Sequence, residues 1–303
     1  MARLNGQNVR IGIANSGGDF DVVAMSTACV VTFQNNTEES STKDDVSLAS
    51  KPTVISKGWN IQFDSLNVTD AGALLTAIKT MTPLEVIFDE TSTTDNYSEQ
   101  HAAFARKGMA YFNDLSMTFN DRENSAKNVQ MTGTGELSTV ASGDIITGPA
   151  TNAYTKGQFV RLFLGSDNTT APATVIGAAK QLTLHISVSL ENSTTKDTTG
   201  DYQVMEPTGI SYDISTNALV RSNDTITSLV GAKGLSDLET IYENGTPVKW
   251  QIANVSGDNQ RTKGSIIASG SALLSQLTLS APNRQVATFD AQLVGVGIYN
   301  VGS

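Results

Sequence analysis

A mainly β chain, made of two tandem β-sandwich or barrel domains that each carry one short α-helix and long polar loops, is predicted by three features of the sequence. Of 303 residues only 39% are hydrophobic and 17% charged, and much of the remainder is Thr, Ser, Asn and Gly, which populate strand faces and turns. Apolar and polar positions alternate along several stretches, the period of a half-buried strand. Segments of the first half return in the same order in the second, the mark of an internal repeat.

The repeat sets the domain organisation. Gly6-Gln7-Asn8-Val9-Arg10-Ile11 returns as Gly157-Gln158-Phe159-Val160-Arg161-Leu162. Each copy leads into alternating apolar residues, Val9, Ile11 and Ile13 in one and Val160, Leu162 and Leu164 in the other. Glu39-Ser40-Ser41-Thr42-Lys43-Asp44-Asp45 is matched by Asn192-Ser193-Thr194-Thr195-Lys196-Asp197-Thr198. Further on, Trp59-Asn60-Ile61 is matched by Tyr212-Asp213-Ile214, Thr82-Pro83 by Thr246-Pro247, and Lys107-Gly108 by Lys263-Gly264. One such match means little in a chain rich in Ser and Thr; their shared order predicts a tandem duplication, with domains over residues 1–145 and 146–303. The joint contains Gly143, Gly148 and Pro149 and is too short for a free tether, so the domains are expected to lie side by side.

In the first domain, strands are expected at 9–13, 28–34, 59–63, 84–88, 115–119 and 129–137. Cys29-Val30-Val31-Thr32-Phe33 lacks clean alternation, which predicts burial on both faces or a bulge. A helix is expected over 70–80: Asp70 stands at the N-cap, Leu74, Leu75 and Ile78 form an apolar stripe, and Pro83 lies beyond the end. In the second domain the clearest strand is 182–190, where Leu182, Leu184, Ile186, Val188 and Leu190 alternate with Thr183, His185, Ser187 and Ser189. Ser236-Asp237-Leu238-Glu239 has the capping-box pattern and Asn244-Gly245 the helix stop, so a helix is expected between them. Gly133-Thr134-Gly135 and Gly295-Val296-Gly297 close each domain and read as close-packing glycines.

Little in the sequence points to catalysis. One cysteine, Cys29, makes no internal disulfide, and two histidines, His101 and His185, are too few for a Cys/His zinc site. A Gly-x-Ser-x-Gly elbow, a phosphate-binding glycine loop and a calcium-loop spacing are all missing, Asp19-Phe20-Asp21 being too sparse for the last. No cofactor, metal or catalytic residue is expected, and the chain is read as a non-enzyme, with His185 on the polar face of its strand as an exposed or interface side chain. The net charge of −10 argues against sequence-independent nucleic-acid binding, which depends on Lys and Arg displacing counterions. An apolar leader and a run of roughly 20 apolar residues are both missing, so synthesis in a cytoplasm without membrane insertion is expected.

The stretch 191–201, with Thr195-Lys196-Asp197 at its centre, followed by Tyr212-Asp213-Ile214, resembles the major tail tube proteins of long-tailed bacteriophages. Residues 39–45 and 59–61 repeat the pattern. Most members of that family carry one domain and form hexameric rings; this chain resembles the minority with two, whose trimers make rings of six quasi-equivalent domains. The resemblance implies self-assembly into stacked homotrimeric rings and other tail proteins at the tube ends. It also implies residence in the virion tail after assembly in the bacterial host cytoplasm. An acidic lumen would let double-stranded DNA pass without sticking. The loops at 39–48 and 192–204 are implied to meet the next ring, through Glu39, Lys43, Asp44, Asp45, Lys196 and Asp197. Glu85, Asp114, Asp121 and Glu136, on or beside predicted strands, are the candidates for the lumen. A related alternative is the inner tube of a contractile injection machine. A different class, a carbohydrate-binding or adhesive β protein, is suggested by Thr/Asn-rich loops and by Trp59, Tyr97, Tyr212 and Trp250.

Overall fold

The computed structural model describes residues 9–14, 20–23, 26–40, 51–66, 71–90, 104–141, 144, 146–147, 155–198, 200–220, 232–256 and 262–302. The chain runs through β1 (Val9–Ala14), β2 (Phe20–Val22), β3 (Ser26–Glu39), β4 (Pro52–Ser65), α1 (Ala71–Thr80), β5 (Leu84–Glu90), β6 (Arg106–Asn120), β7 (Ala126–Thr139) and β8 (Ile146–Thr147). After a 3-10 turn at Gly157–Phe159 come β9 (Val160–Leu164), β10 (Thr174–Val175), β11 (Ala179–Asn192) and β12 (Met205–Leu219). Then follow α2 (Leu235–Asn244), β13 (Val248–Ser256), β14 (Thr262–Ser280) and β15 (Thr288–Val301). The protein is mainly β, its fifteen described strands joined in one sheet.

Two runs of that sheet have the same neighbour order. The first reads β2-β1-β5-β6-β7-β4-β3 and the second β10-β9-β13-β14-β15-β12-β11. A helix precedes β5 in one and β13 in the other. All of these pairings are antiparallel; β8 adds to β2 in parallel, with Phe20 opposite Ile146.

A period of two sends alternate side chains to one face, and that face is the core. Trp59, Ile61 and Phe63 of β4, Leu115, Met117 and Phe119 of β6, and Val129 and Met131 of β7 are buried together with Leu182, Leu184 and Ile186 of β11. Tyr212 and Ile214 of β12 and Phe289, Ala291 and Leu293 of β15 continue the same cluster. Burying each large apolar side chain contributes about 1.5–3 kcal/mol. The helices lie on this side: α1 touches β6 and β15, and α2 touches β14.

Aromatic rings lying on glycines organise both runs. A Cβ at Gly133 would overlap the Trp59 indole, and one at Gly295 would overlap the Tyr212 ring. The Trp59 Nε1 donates to the Gly135 carbonyl at 3.2 Å, and the Tyr212 hydroxyl donates to the Ser271 carbonyl. Gly135 and Gly297 both have φ of 74°, a left-handed conformation that favours glycine. The first glycine of each triplet is thus there for close packing and the second for backbone conformation. Each lies beside a ladder irregularity, between Lys107 and Met109 on β6 and between Ser269 and Ser271 on β14.

Three sequence expectations need adjustment. Cys29-Val30-Val31-Thr32-Phe33 is not buried on both faces: Val30 and Phe33 are exposed, and among the described residues β3 pairs with β4 alone. Nor does the segment itself hold a bulge: the ladder is regular from Ala28 to Asn36, and its register shifts lie outside, between Ser26 and Ala28 and between Asn36 and Thr37. The α2 cap sits earlier than Ser236, since the Asp237 carboxylate accepts the Gly234 N–H at 2.8 Å and Ser236 lies inside the helix. The helix ends as expected at Gly245, φ 60°. Gly108 lies opposite Val86, and the residue opposite Trp250 is Gly270, so Gly264 is not its ladder equivalent. Asp70 lies outside the described residues.

Gly133→Ala is expected to destabilise the protein by about 1–3 kcal/mol, the usual cost of overpacking. Gly209→Ala, at a strand position where a Cβ meets nothing within 4 Å, should stay within about 0.5 kcal/mol of the parent. Urea denaturation of the two variants measures both values.

Candidate assembly interface

The two strand runs meet edge to edge. β7 covers one edge of β6 from Arg106 to Thr118. The other edge is divided: β5 takes Arg106 to Ala110, and β11 takes Asp114 to Asn120. In the β6·β11 ladder Leu182 lies opposite Phe119, Leu184 opposite Met117 and Ile186 opposite Leu115 on the core face. Between them, Thr183, His185 and Ser187 face Thr118, Ser116 and Asp114 on the other side of the sheet.

His185 spans this joint. Its Nε2 lies 2.7 Å from Asp114 Oδ2 on β6, and its Nδ1 lies 2.9 Å from Asp213 Oδ1 on β12. Partial burial lowers the affinity of the imidazole for a proton, but the hydrogen bonds and attraction of the two carboxylates outweigh it and hold the pKa above its ordinary value. Sequence alternation placed His185 on the polar face; its two carboxylate partners come from strands distant in sequence and had no local signal.

Two further contacts reinforce the joint. The buried Tyr299 hydroxyl of β15 donates to the Leu75 carbonyl of α1 at 2.7 Å, and Lys79 Nζ donates to Asn300 Oδ1 at 3.3 Å. The segment 201–205 lies along β4 and β7: Lys57 N donates to the Asp201 carbonyl at 2.7 Å, Gln203 N to the Lys57 carbonyl at 2.9 Å, and Gly135 N to the Gln203 carbonyl at 2.8 Å. Lys57 Nζ also pairs with Asp201 Oδ2 at 2.9 Å. This exposed pair contributes little by itself and adds to the backbone bonds beside it.

Along β4, β6, β7, β11, β12 and β15 the face of the sheet opposite the core carries carboxylates, amides and hydroxyls, whereas toward β5 and β13 it buries two small apolar clusters around Phe20 and Phe163. Asn128 donates to Asp64 across β7 and β4, and Asn217 donates to Asp290 at 2.7 Å across β12 and β15. A depression of about 360 Å³ on this face is lined by Gln181, Asp213, Asn217, Gln276, Thr278 and Asp290.

No family model and no curated protein matches the chain. Among solved structures it is similar to the tail of an empty gene transfer agent particle computed with C6 symmetry, at 12% identity and a TM-score of 0.34, over 48% of this chain and 95% of that one. A native gene transfer agent virion gives 13% identity and a TM-score of 0.35 over 49% and 99% of the two chains. The SPP1 tail tube gives 16% identity and a TM-score of 0.33 over 48% and 78%.

The four carboxylates singled out for a lumen occupy separate places. Asp114 is at the joint on the polar face, bound to His185. Glu85 pairs with Lys107 at 3.5 Å, and Lys107 also binds Asp144 at 2.8 Å. Asp121 follows the end of β6 with Arg122 3.7 Å away, and Glu136 is exposed beside the irregularity in β7. Asp64, Asp213 and Asp290 share the polar face with Asp114, and their alternation with Phe63, Ile214 and Phe289 is the sequence signal for that placement. Among the loop candidates, Glu39 accepts the Lys51 N–H at 2.8 Å, while Lys196 and Asp197 are exposed. Lys43, Asp44 and Asp45 lie outside the described residues, as does His101. Among the described residues no group of three His, Cys, Asp or Glu side chains could hold a metal ion.

A pKa raised in the folded protein means that the stability His185 contributes is fully present below its unfolded value near 6.5 and is lost as pH rises through the folded value. The melting-temperature gap between the parent and His185→Gln is therefore expected to be widest at acid pH and to narrow as pH rises. Thermal denaturation across pH 5–9 checks the sign; a gap independent of pH would remove the charged bridge from the joint.

Proposed function

We propose that this chain is the subunit of a phage-type tail tube, built as two tandem tube domains that assemble into stacked trimeric rings of six domains. The observation that carries this reading is the β6·β11 ladder: two strand runs of the same order join edge to edge, and each end of the pair keeps an edge of the kind used at the joint. A head-to-tail contact of this type closes into a ring when its rotation divides a full turn. With two domains per chain, a six-domain ring takes three chains. The domain boundary at residues 145 and 146 is part of the same proposal, with Ile146–Thr147 still paired to β2 of the first domain.

The polar face supplies the lumen in this reading. Asp64 and Asp290 repel phosphate, His185 lies enclosed between the carboxylates of Asp114 and Asp213, and the hydroxyl and amide side chains around them add no cation that would release DNA counterions. Double-stranded DNA passes along such a wall without binding. The role is structural rather than catalytic, other tail proteins meet the tube at its two ends, and the protein resides in the virion tail after assembly in the host cytoplasm.

Negative-stain electron microscopy with solution mass at several concentrations tests the proposal. Stacked rings and a mass in multiples of three chains are expected; a monomer at every concentration would contradict it. Contacts between rings are assigned to the loops at 39–48 and 192–204. Lys43→Ala combined with Lys196→Ala is therefore expected to abolish stacking and leave single rings, whereas unaltered tubes would take these lysines out of the stacking contact.

A further inference from the structure

Of the stretches of sheet edge without a ladder partner among the described residues, two match the edges that form the existing joint. One is the side of β3 turned away from β4. The other is the end of β14 beyond Ala272, where pairing with β13 stops while β15 continues along the opposite side to Ser280. Ladder positions show what each edge corresponds to in the existing joint. Phe33 lies opposite Trp59 and Ile186 opposite Tyr212, and those two aromatics rest on Gly133 and Gly295; β3 therefore matches β11, with Phe33 in the place of Ile186. Asp114 lies opposite Gln130 and Gln276 opposite Gln292, each just past a register shift, so the end of β14 matches the segment of β6 that β11 covers.

Resting on the tube reading, we infer that β3 of a second copy pairs antiparallel with the end of β14, in the register the joint already uses. Val30 then lies opposite Ser280, Val31 opposite Leu279, Thr32 opposite Thr278, Phe33 opposite Leu277 and Gln34 opposite Gln276. The exposed apolar side chains on these edges support this partner. Phe33 is 61% exposed where Ile186 is 1%, and Leu279 is 54% exposed where Met117 is 0%. Pairing also gives the open backbone groups the partners that an isolated edge lacks.

A second observation, on the helices, points the same way. Met81 and Gly245, both left-handed, follow the ends of α1 and α2 and align the two helices. Ile78 of α1, the helix touched by β15, is 2% exposed; its counterpart on α2, Tyr242, is 53% exposed. In the pairing inferred here, β7 of the second copy stands to α2 as β15 stands to α1. The two joints differ in chemistry. His185, Asp114 and Asp213 within the chain are replaced between copies by Thr32, Gln276 and Asn60, so the contact between copies carries none of the titration of His185.

Cysteine pairs read the register directly. Burial pushes the Cys29 thiol up to about 11, and Cys29→Ser removes it as a competitor. In that background Thr32→Cys with Thr278→Cys places two thiols directly opposite, within the roughly 4.4–6.8 Å Cα separation that a disulfide needs. Thr32→Cys with Gln276→Cys is displaced by two residues, to roughly 7–8 Å. On mild oxidation the first pair is expected to give inter-chain disulfides on a non-reducing gel, at least tenfold more than the second. Preferential cross-linking of the displaced pair, or assemblies visible by microscopy with neither pair cross-linked, would overturn this register and leave the tube reading standing. A chain that never assembles would overturn both. Leu279→Asp in the parent is expected to stay folded by circular dichroism and to lose assembly; unchanged assembly would overturn the pairing.

Discussion

A β-strand has two edges, and β6 is longer than one partner can cover on one of them. β5 has 7 residues against the 15 of β6, so the backbone groups of Asp114 to Asn120 on that side need another strand or water. β11 supplies the strand. The joint between the two halves is therefore a continuation of the sheet, and the core passes through it: Leu115, Met117 and Phe119 share one apolar cluster with Leu182, Leu184 and Ile186. The short linker at 141–155 follows from this geometry, because the halves are held by ladder hydrogen bonds and a common core. The same length mismatch recurs at β14, with 19 residues against the 9 of β13.

Within each half, packing of an aromatic ring on glycine sets the spacing of the central strands. Trp59 on Gly133 and Tyr212 on Gly295 occupy equivalent ladder positions, and each ring ends in a hydrogen bond to a backbone carbonyl, of Gly135 on the adjacent β7 and of Ser271 on β14, two strands from β12. Side chains at the neighbouring positions vary while the geometry stays. Asp64 with Asn128 in one half becomes Asn217 with Asp290 in the other, the acid and amide having changed strands. This kind of exchange preserves a cross-strand hydrogen bond and one negative charge on the polar face, which is why the pattern is hard to see in a residue-by-residue comparison of the two halves.

Periodicity made much of the fold legible. The alternation from Leu182 to Leu190 identified β11 and its buried face, the stripe of Leu74, Leu75 and Ile78 identified α1, and Asn244-Gly245 marked the end of α2. What escaped was chiefly non-local, the cap of α2 being the local exception. Cys29-Val30-Val31-Thr32-Phe33 reads as a buried strand because its residues suit one, yet among the described residues β4 is its one ladder partner. The cap of α2 at Gly234 was hidden because glycine carries no capping side chain and Asp237 supplies the bond instead. Of the lumen candidates, Asp114 lies at the joint with His185, whereas Glu85, Asp121 and Glu136 were chosen by proximity to strands without knowledge of which face each side chain takes.

Hydrogen exchange, compared between assembled and dissociated protein, probes the central point most directly: one ladder geometry serves both inside the chain and between chains. Amides of 114–120 and 181–187 are expected to be protected in both states, whereas the alternate amides of 29–34 that point away from β4, and those of 276–280 that point away from β15, gain protection only on assembly. Equal exchange of 29–34 and 276–280 in the two states, with assembly intact, would contradict it.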